Sequence, residues 1–229
     1  MKIPAARGPV STALFSALTA APGTDEGALD ALHRSVAGHL PATRDIIGDD
    51  DLQLALFCLY ELHYSGLEGV SDEWEWAPEL IRVRQMLEKP FEAALRDAAA
   101  EAAGDLELPA GPGATSDAVA DVLFGLAARD TGPSLSRYVA RKASLGQLKE
   151  FLIHKSIYQL KEADPHTFAI PRLSGRPKAA LVEIQADEYG GGRPERMPAP
   201  FSPAPCGAWE WRTGTGHTWT PSLRSPSLP

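Results

Sequence analysis

Apolar residues recur along this chain at three- and four-residue intervals, the spacing that lines one face of an α-helix, and no stretch keeps the alternation of a strand. The pattern predicts an all-α protein. Leu14, Phe15 and Leu18 mark a first amphipathic helix within Val10 to Ala21, behind an entry broken by Pro4, Arg7 and Pro9. Asp25 stands where a helix cap belongs, since its carboxylate can accept from amides that have no partner inside the helix. That second helix runs to about His39 and ends at Pro41. Asp49 and Asp50 introduce Leu52 to Tyr64, which is apolar nearly all round and reads as a buried helix, closed by Gly66 and Gly69.

From Pro78, the residues Leu80, Ile81, Val83, Met86 and Leu87 form a stripe, and beyond Pro90 an alanine-rich stretch continues to about Ala103. Proline lacks the N–H a helix needs and crowds the preceding turn, so two helices meeting at Pro90 are expected. Gly104 to Thr115 contains Pro109, Gly111, Pro112 and Gly113 and reads as a loop or linker. Ser116 caps a helix through Ala128, broken at Gly132-Pro133. Ser144 and Gln147 have the spacing of a capping box, in which each side chain satisfies a free amide near the other residue. They open a long helix from Leu145 to about Ala163, stopped by Asp164-Pro165. After a loop with Pro171, Gly175 and Pro177, a last helix spans about Lys178 to Tyr189, followed by Gly190 to Gly192. The expected organisation is an N-terminal helical region over 1–130, a second helical region over 131–197, and a tail over 198–229.

Composition narrows the function. With 229 residues, 44% hydrophobic and 23% charged, the chain can bury a core as one or two domains. Its net charge of -8 argues against a nucleic-acid partner, which needs clustered Lys and Arg; the stretch from Arg137 to Lys142 is too sparse. The two cysteines, Cys58 and Cys206, exclude a disulfide framework and a thiolate metal cage, which fits a cytoplasmic protein. Lys2 followed by Val10 to Ala21 has some features of a secretory signal, the alternative to the first helix. No apolar run approaches the ~20 residues of a membrane span.

The tail has another character. From Pro198 onward it holds seven prolines and three of the five tryptophans but no Asp, Lys, Val or Ile, and it is expected to be disordered. Back-translated with GC-rich codons and read one base earlier, the stretch from Phe201 can yield ordinary globular sequence with helical spacing for a suitable choice of codons. A frameshift would produce this, and a native low-complexity tail is the other reading.

Candidate chemistry lies on the two helices before that tail. His154, Tyr158 and Glu162 are spaced four apart, which stacks them along one face of the long helix. Asp164 and His166 follow, and the next helix carries Glu183, Asp187 and Glu188. Carboxylates and imidazoles on neighbouring helices are how bundles hold di-iron or di-manganese centres, although a solvated polar face has the same spacing. Elsewhere, Glu61 and His63 are expected to form a polar pair in the buried helix, contacting Arg82 or Arg84. Trp74 and Trp76, with Pro78, read as packing or pocket-lining residues at a helix entry.

The stretch FLIHKSIYQLKEADPHTFAIPRLSGRPKAALVEIQADEYGGGRPERM, above all its YQLKEADPH and DEYGGG elements, resembles the iron-containing redox enzymes with a haem-oxygenase-like fold. The likeness is close over about Ser134 to Met197 and looser in ELHYSGLEG and EWEWAP upstream. It implies a haem-oxygenase-like helical bundle, incomplete at its C-terminus, and a non-haem diiron oxidoreductase that uses dioxygen on a small organic substrate. By the same resemblance Glu162 and Glu188 match carboxylate ligands of the metal. The histidine expected after the Arg-Met pair falls at Pro198, and a further glutamate and a His/Asp/His group have no counterpart. The chain is therefore expected to be truncated or frameshifted, to hold iron unstably and to be inactive. Two other classes share the architecture. One is a non-catalytic helical fragment or interaction protein, associating with itself, as a homodimer for example, through exposed apolar surface. The other is a metal-free oxidase or hydrolase, which would not need Glu162 and Glu188 together.

Overall fold

A computed structural model describes residues 1–104, 106–111, 114–129, 132–159, 161–193, 196, 210–213 and 219–222; for 156–159, 210–213 and 219–222 only the backbone is described. The chain divides into two compact units, Met1–Arg129 and Asp130–Pro229.

The first unit is built around α1 (Pro9–Leu18), α2 (Glu26–His39), α3 (Asp50–Glu61) and α4 (Pro78–Ala103). Its core joins Val10, Leu14 and Leu18 of α1, Leu32 and Val36 of α2, Leu52, Cys58 and Leu59 of α3, and Leu80, Val83 and Leu87 of α4. Each such side chain contributes roughly 1.5–3 kcal/mol when fully buried. Asp25 caps α2 by accepting from the Ala28 amide at 2.9 Å. Asp49 caps α3, accepting from the amides of Asp51 and Leu52. Burial pushes the Asp49 carboxyl up, but the Leu52 amide and the His39 and Thr43 side chains outweigh it and hold the group below its ordinary value. Asp51 reaches across to α1, where its carboxylate accepts from the Val10 and Ser11 amides, both at 2.8 Å, and from the Ser11 hydroxyl. The buried helix ends at Glu61, three residues before Tyr64.

Pro90 does not separate two helices. α4 runs through it as one helix of 26 residues. The missing donor removes one backbone hydrogen bond, and packing of Leu80, Val83 and Leu87 before it, with Phe91 against the core after it, holds the helix together. α5 (Ser116–Ala128) is capped by Thr115, one residue earlier than expected, through the Ala118 amide at 3.2 Å. It buries no residue, and Leu123, Phe124 and Leu126 are exposed.

The second unit contains α6 (Leu135–Arg141), α7 (Leu145–Gln159) and α8 (Gly175–Glu188). α6 lies between Gly132-Pro133 and Ser144, where the sequence pattern assigns no helix, and is capped by Ser134. The capping box at α7 forms as the sequence predicts: the Ser144 amide donates to Gln147 Oε1 at 2.9 Å and the Gln147 amide to Ser144 Oγ at 3.3 Å. Short 3-10 turns at Asp164–Phe168 and Ile170–Arg172 connect α7 to α8. In the tail, two four-residue strands, β1 (Glu210–Thr213) and β2 (Trp219–Ser222), pair antiparallel where no strand was expected. The threonines and tryptophans at these positions favour extended backbone. The rest of 198–229 lies outside the described residues. The described fold is otherwise an all-α bundle, and none of its helices is long and apolar enough to cross a membrane.

Candidate functional site

Asp164, Thr167, Gln185 and Tyr189 of the second unit meet where α7 gives way to α8. α7 ends at Gln159, so Glu162 stands in the turn that follows and does not share a helical face with His154 and Tyr158, as the spacing predicts. Asp164-Pro165 sets up the 3-10 turn, because proline is accommodated in a first turn, where its missing amide has no intrahelical partner to lose. His154 is exposed, and the Tyr158 side chain lies outside the described residues.

α8 begins behind Ser174 and carries Pro177 in its first turn. At its far end Gly190, Gly191 and Gly192 take φ of 62, 64 and 77°, left-handed values that a Cβ would disfavour, so the triple glycine permits the tight turn after Tyr189. Glu188 is half-buried, like Glu162, whereas Glu183 and Asp187 are exposed.

A polar knot fastens this end of α8 to the turn after α7. Gln185, the one buried residue of α8, donates from Nε2 to the Ala163 carbonyl at 2.9 Å and to Thr167 Oγ1 at 3.1 Å. One helical turn on, the Tyr189 hydroxyl donates to Asp164 Oδ1 at 2.8 Å. The Asp164 carboxylate accepting this bond, aided by burial, holds the phenol protonated and raises its pKa, while Thr167 and Gln185 pull weakly the other way. Gln185 Oε1 and His166 Nδ1 are buried without a hydrogen-bond partner among the described residues.

The knot brackets both glutamates. Glu162 immediately precedes Ala163, whose carbonyl is held by Gln185, and Glu188 lies between Gln185 and Tyr189. Carboxylate oxygens are suitable donors for iron. Among the described residues, however, no group of three or more His, Cys, Asp and Glu is placed to hold a metal ion. The two glutamates fit iron by donor type and amount to part of a ligand set. Spacing offers the carboxylates and histidines as candidates and the resemblance selects Glu162 and Glu188, and neither points to Gln185 or Tyr189. Their own i, i+4 relation, opposite an Asp-Pro turn, is the signal that could have found them.

In the first unit, His63 does contact Arg84, with Nε2 at 2.6 Å from Nη1, while its Nδ1 faces Glu75 at 3.5 Å. Against a guanidinium, Nε2 must act as acceptor, which places the ring proton on Nδ1. Arg84 in turn lies 3.1 Å from Glu88, an ion pair by distance whose Nε lacks hydrogen-bonding geometry, and Tyr60 donates to Glu88 at 2.7 Å. Trp74 is a packing residue, its indole N–H donating to the Ala20 carbonyl, but Trp76 is 65% exposed and meets the His63 ring edge-on. These contacts tie α3 to α4 and gather no ligand set. An open groove between the end of α4 and α5, lined in part by Leu106, Glu107, Asp121 and Arg129, gathers none either.

Residues 149–197 match the sequence model of a family described as iron-containing redox enzymes. No curated protein and no solved structure matches the chain.

Proposed function

We propose that this chain carries part of the metal site of a non-haem diiron oxidoreductase, an enzyme that uses dioxygen on a small organic substrate, with Glu162 and Glu188 as carboxylate ligands, and that these two ligands alone leave it inactive. The observation that carries this reading is the family match over 149–197, which contains both glutamates and the whole polar knot around them. Bound iron would supply the change of oxidation state that dioxygen chemistry needs. The chain's own part is to present two half-buried carboxylates, whose negative charge offsets that of the cations, and to fix the backbone beside each of them. Two carboxylates without an imidazole hold iron weakly, so tight binding requires donors beyond Glu162 and Glu188. The acidic chain, without a disulfide framework, suits the cytoplasm. Anaerobic titration with ferrous iron tests the assignment. Weak saturable uptake is expected in the wild type and none in Glu188→Ala; equal uptake by both removes Glu188 from the site and with it the carboxylate pair.

A second reading, an interaction protein, is favoured by α5. This helix is strongly apolar yet buries nothing, and Phe124 is 75% exposed. Large exposed apolar surfaces favour association. On this reading two copies meet through α5, light scattering rises with concentration, and Phe124→Asp returns the protein to a monomer. A wild type that stays monomeric and binds no hydrophobic dye would remove it.

A further inference from the structure

Four side chains that are not themselves proposed ligands are engaged in bonds within the two segments that carry Glu162 and Glu188. Gln185 and Tyr189 project from one face of α8, one turn apart, and close on Ala163, Asp164 and Thr167 of the facing turn. The arrangement is poor in apolar burial: Gln185 is the one described side chain of this unit that is buried, at 7% exposure. A buried amide joined to a backbone carbonyl is an expensive way to hold a helix if packing were all that mattered, because hydrogen bonds contribute little net stability while unpaired buried groups cost more. Its yield is geometric. A bond to the Ala163 carbonyl fixes the Ala163–Asp164 peptide, one residue beyond Glu162, and a bond from Tyr189 fixes the residue immediately after Glu188.

We infer that Gln185 and the Tyr189–Asp164 pair are positioning residues that set the separation of the Glu162 and Glu188 carboxylates. The inference rests on the ligand assignment proposed above. Without the knot, Glu162 would ride on an irregular turn and Glu188 on a helix end followed by three glycines, both segments with much conformational freedom. Two ligands on such segments bind a cation only after the entropy of bringing them together has been overcome. The knot meets that cost at folding, before any cation arrives.

The test uses the full chain and manganous ion, whose free form is read by electron paramagnetic resonance, as a probe for weak divalent binding. Tyr189→Phe and Asp164→Ala each break the same bond, and each should weaken binding by about tenfold, the lower end of what loss of an outer partner costs a metal site. Their combination should weaken it no further, because they remove one interaction. Asp164→Asn retains an oxygen that can accept from Tyr189 and should stay within about twofold of wild type. Gln185→Met, nearly equal in volume, should behave like Tyr189→Phe. Helix content from circular dichroism, measured alongside, separates loosened ligands from an unfolded unit, and Asp164→Asn must match the wild type in both. If Glu188→Ala binds manganese as well as wild type, the ligand assignment and this inference fall together. If Glu188→Ala loses binding while Tyr189→Phe and Gln185→Met keep it, the ligands stand and the positioning role is overturned. Equal loss in Asp164→Asn and Asp164→Ala would overturn it as well, by making Asp164 a ligand or a needed charge.

Discussion

The two units are held together in different ways. In Met1–Arg129, leucines and valines from α1 to α4 meet in one core, and every buried hydrophobic side chain among the described residues falls between Val10 and Leu87. In the second unit the described burial is a single glutamine, and the ties are directional bonds between a turn and a helix end. An apolar core resists deformation everywhere at once, because its energy scales with area and is spread over many contacts. A few hydrogen bonds fix chosen points and leave the rest loose. The region matched to a redox family is the second kind, so its geometry depends on a handful of named atoms.

The sharpest way to break the contrast is in the core. Leu14→Ala should cost the first unit about 2–5 kcal/mol, read from urea unfolding followed by tryptophan fluorescence, because Leu14 is wholly buried and a cavity remains. A cost well under 1 kcal/mol would mean that the core collapses freely around the gap. Next comes Asp51→Ala, which strips acceptors from two amides and a hydroxyl at the start of α1; a loss of about 1–3 kcal/mol is expected in the same measurement. In the other unit, Tyr189→Phe should lower stability by only about 1 kcal/mol, visible as faster hydrogen exchange in α8 with α1 to α4 unchanged. Exchange that quickens equally in both units would erase the distinction. The smallest effect is acid-dependent. Asp49 titrates below its ordinary 3.8 when folded, so its contribution is complete above that pH and disappears as pH falls through the lowered value. Asp49→Asn should flatten the acid limb of the stability curve there and leave neutral pH with a modest loss.

Local signals were legible wherever a side chain acts on its own backbone. Asp25, Asp49 and the Ser144–Gln147 box all cap the helices the sequence assigns to them, since the bonding partners lie within a few residues. Readings that required knowledge of packing did less well. Pro90 is a reliable breaker only when nothing else holds the helix, and the apolar stripe before it overrides the local penalty. Periodicity places Glu162 on a helix that ends at Gln159, because the apolar and polar spacing continues through residues that have already left the helix before Asp164-Pro165 is reached. The polar knot was invisible to a search for ligands, since glutamine and tyrosine become informative only once Ala163 and Asp164 are known to face them.

The carboxylate of Asp51 at the start of α1 also bears on how the chain comes to be folded. Gly8 precedes that helix with an extended φ of -175°, so any residue could adopt its backbone, yet a Cβ there would lie 2.5 Å from Asp51 Oδ2. The helix thus leaves the place of its own capping side chain vacant for a group forty-odd positions downstream. During synthesis the leading amides of α1 therefore depend on water until residue 51 has followed them out. Its completion is a long-range event, set by a contact between α1 and α3 that spans forty positions of chain.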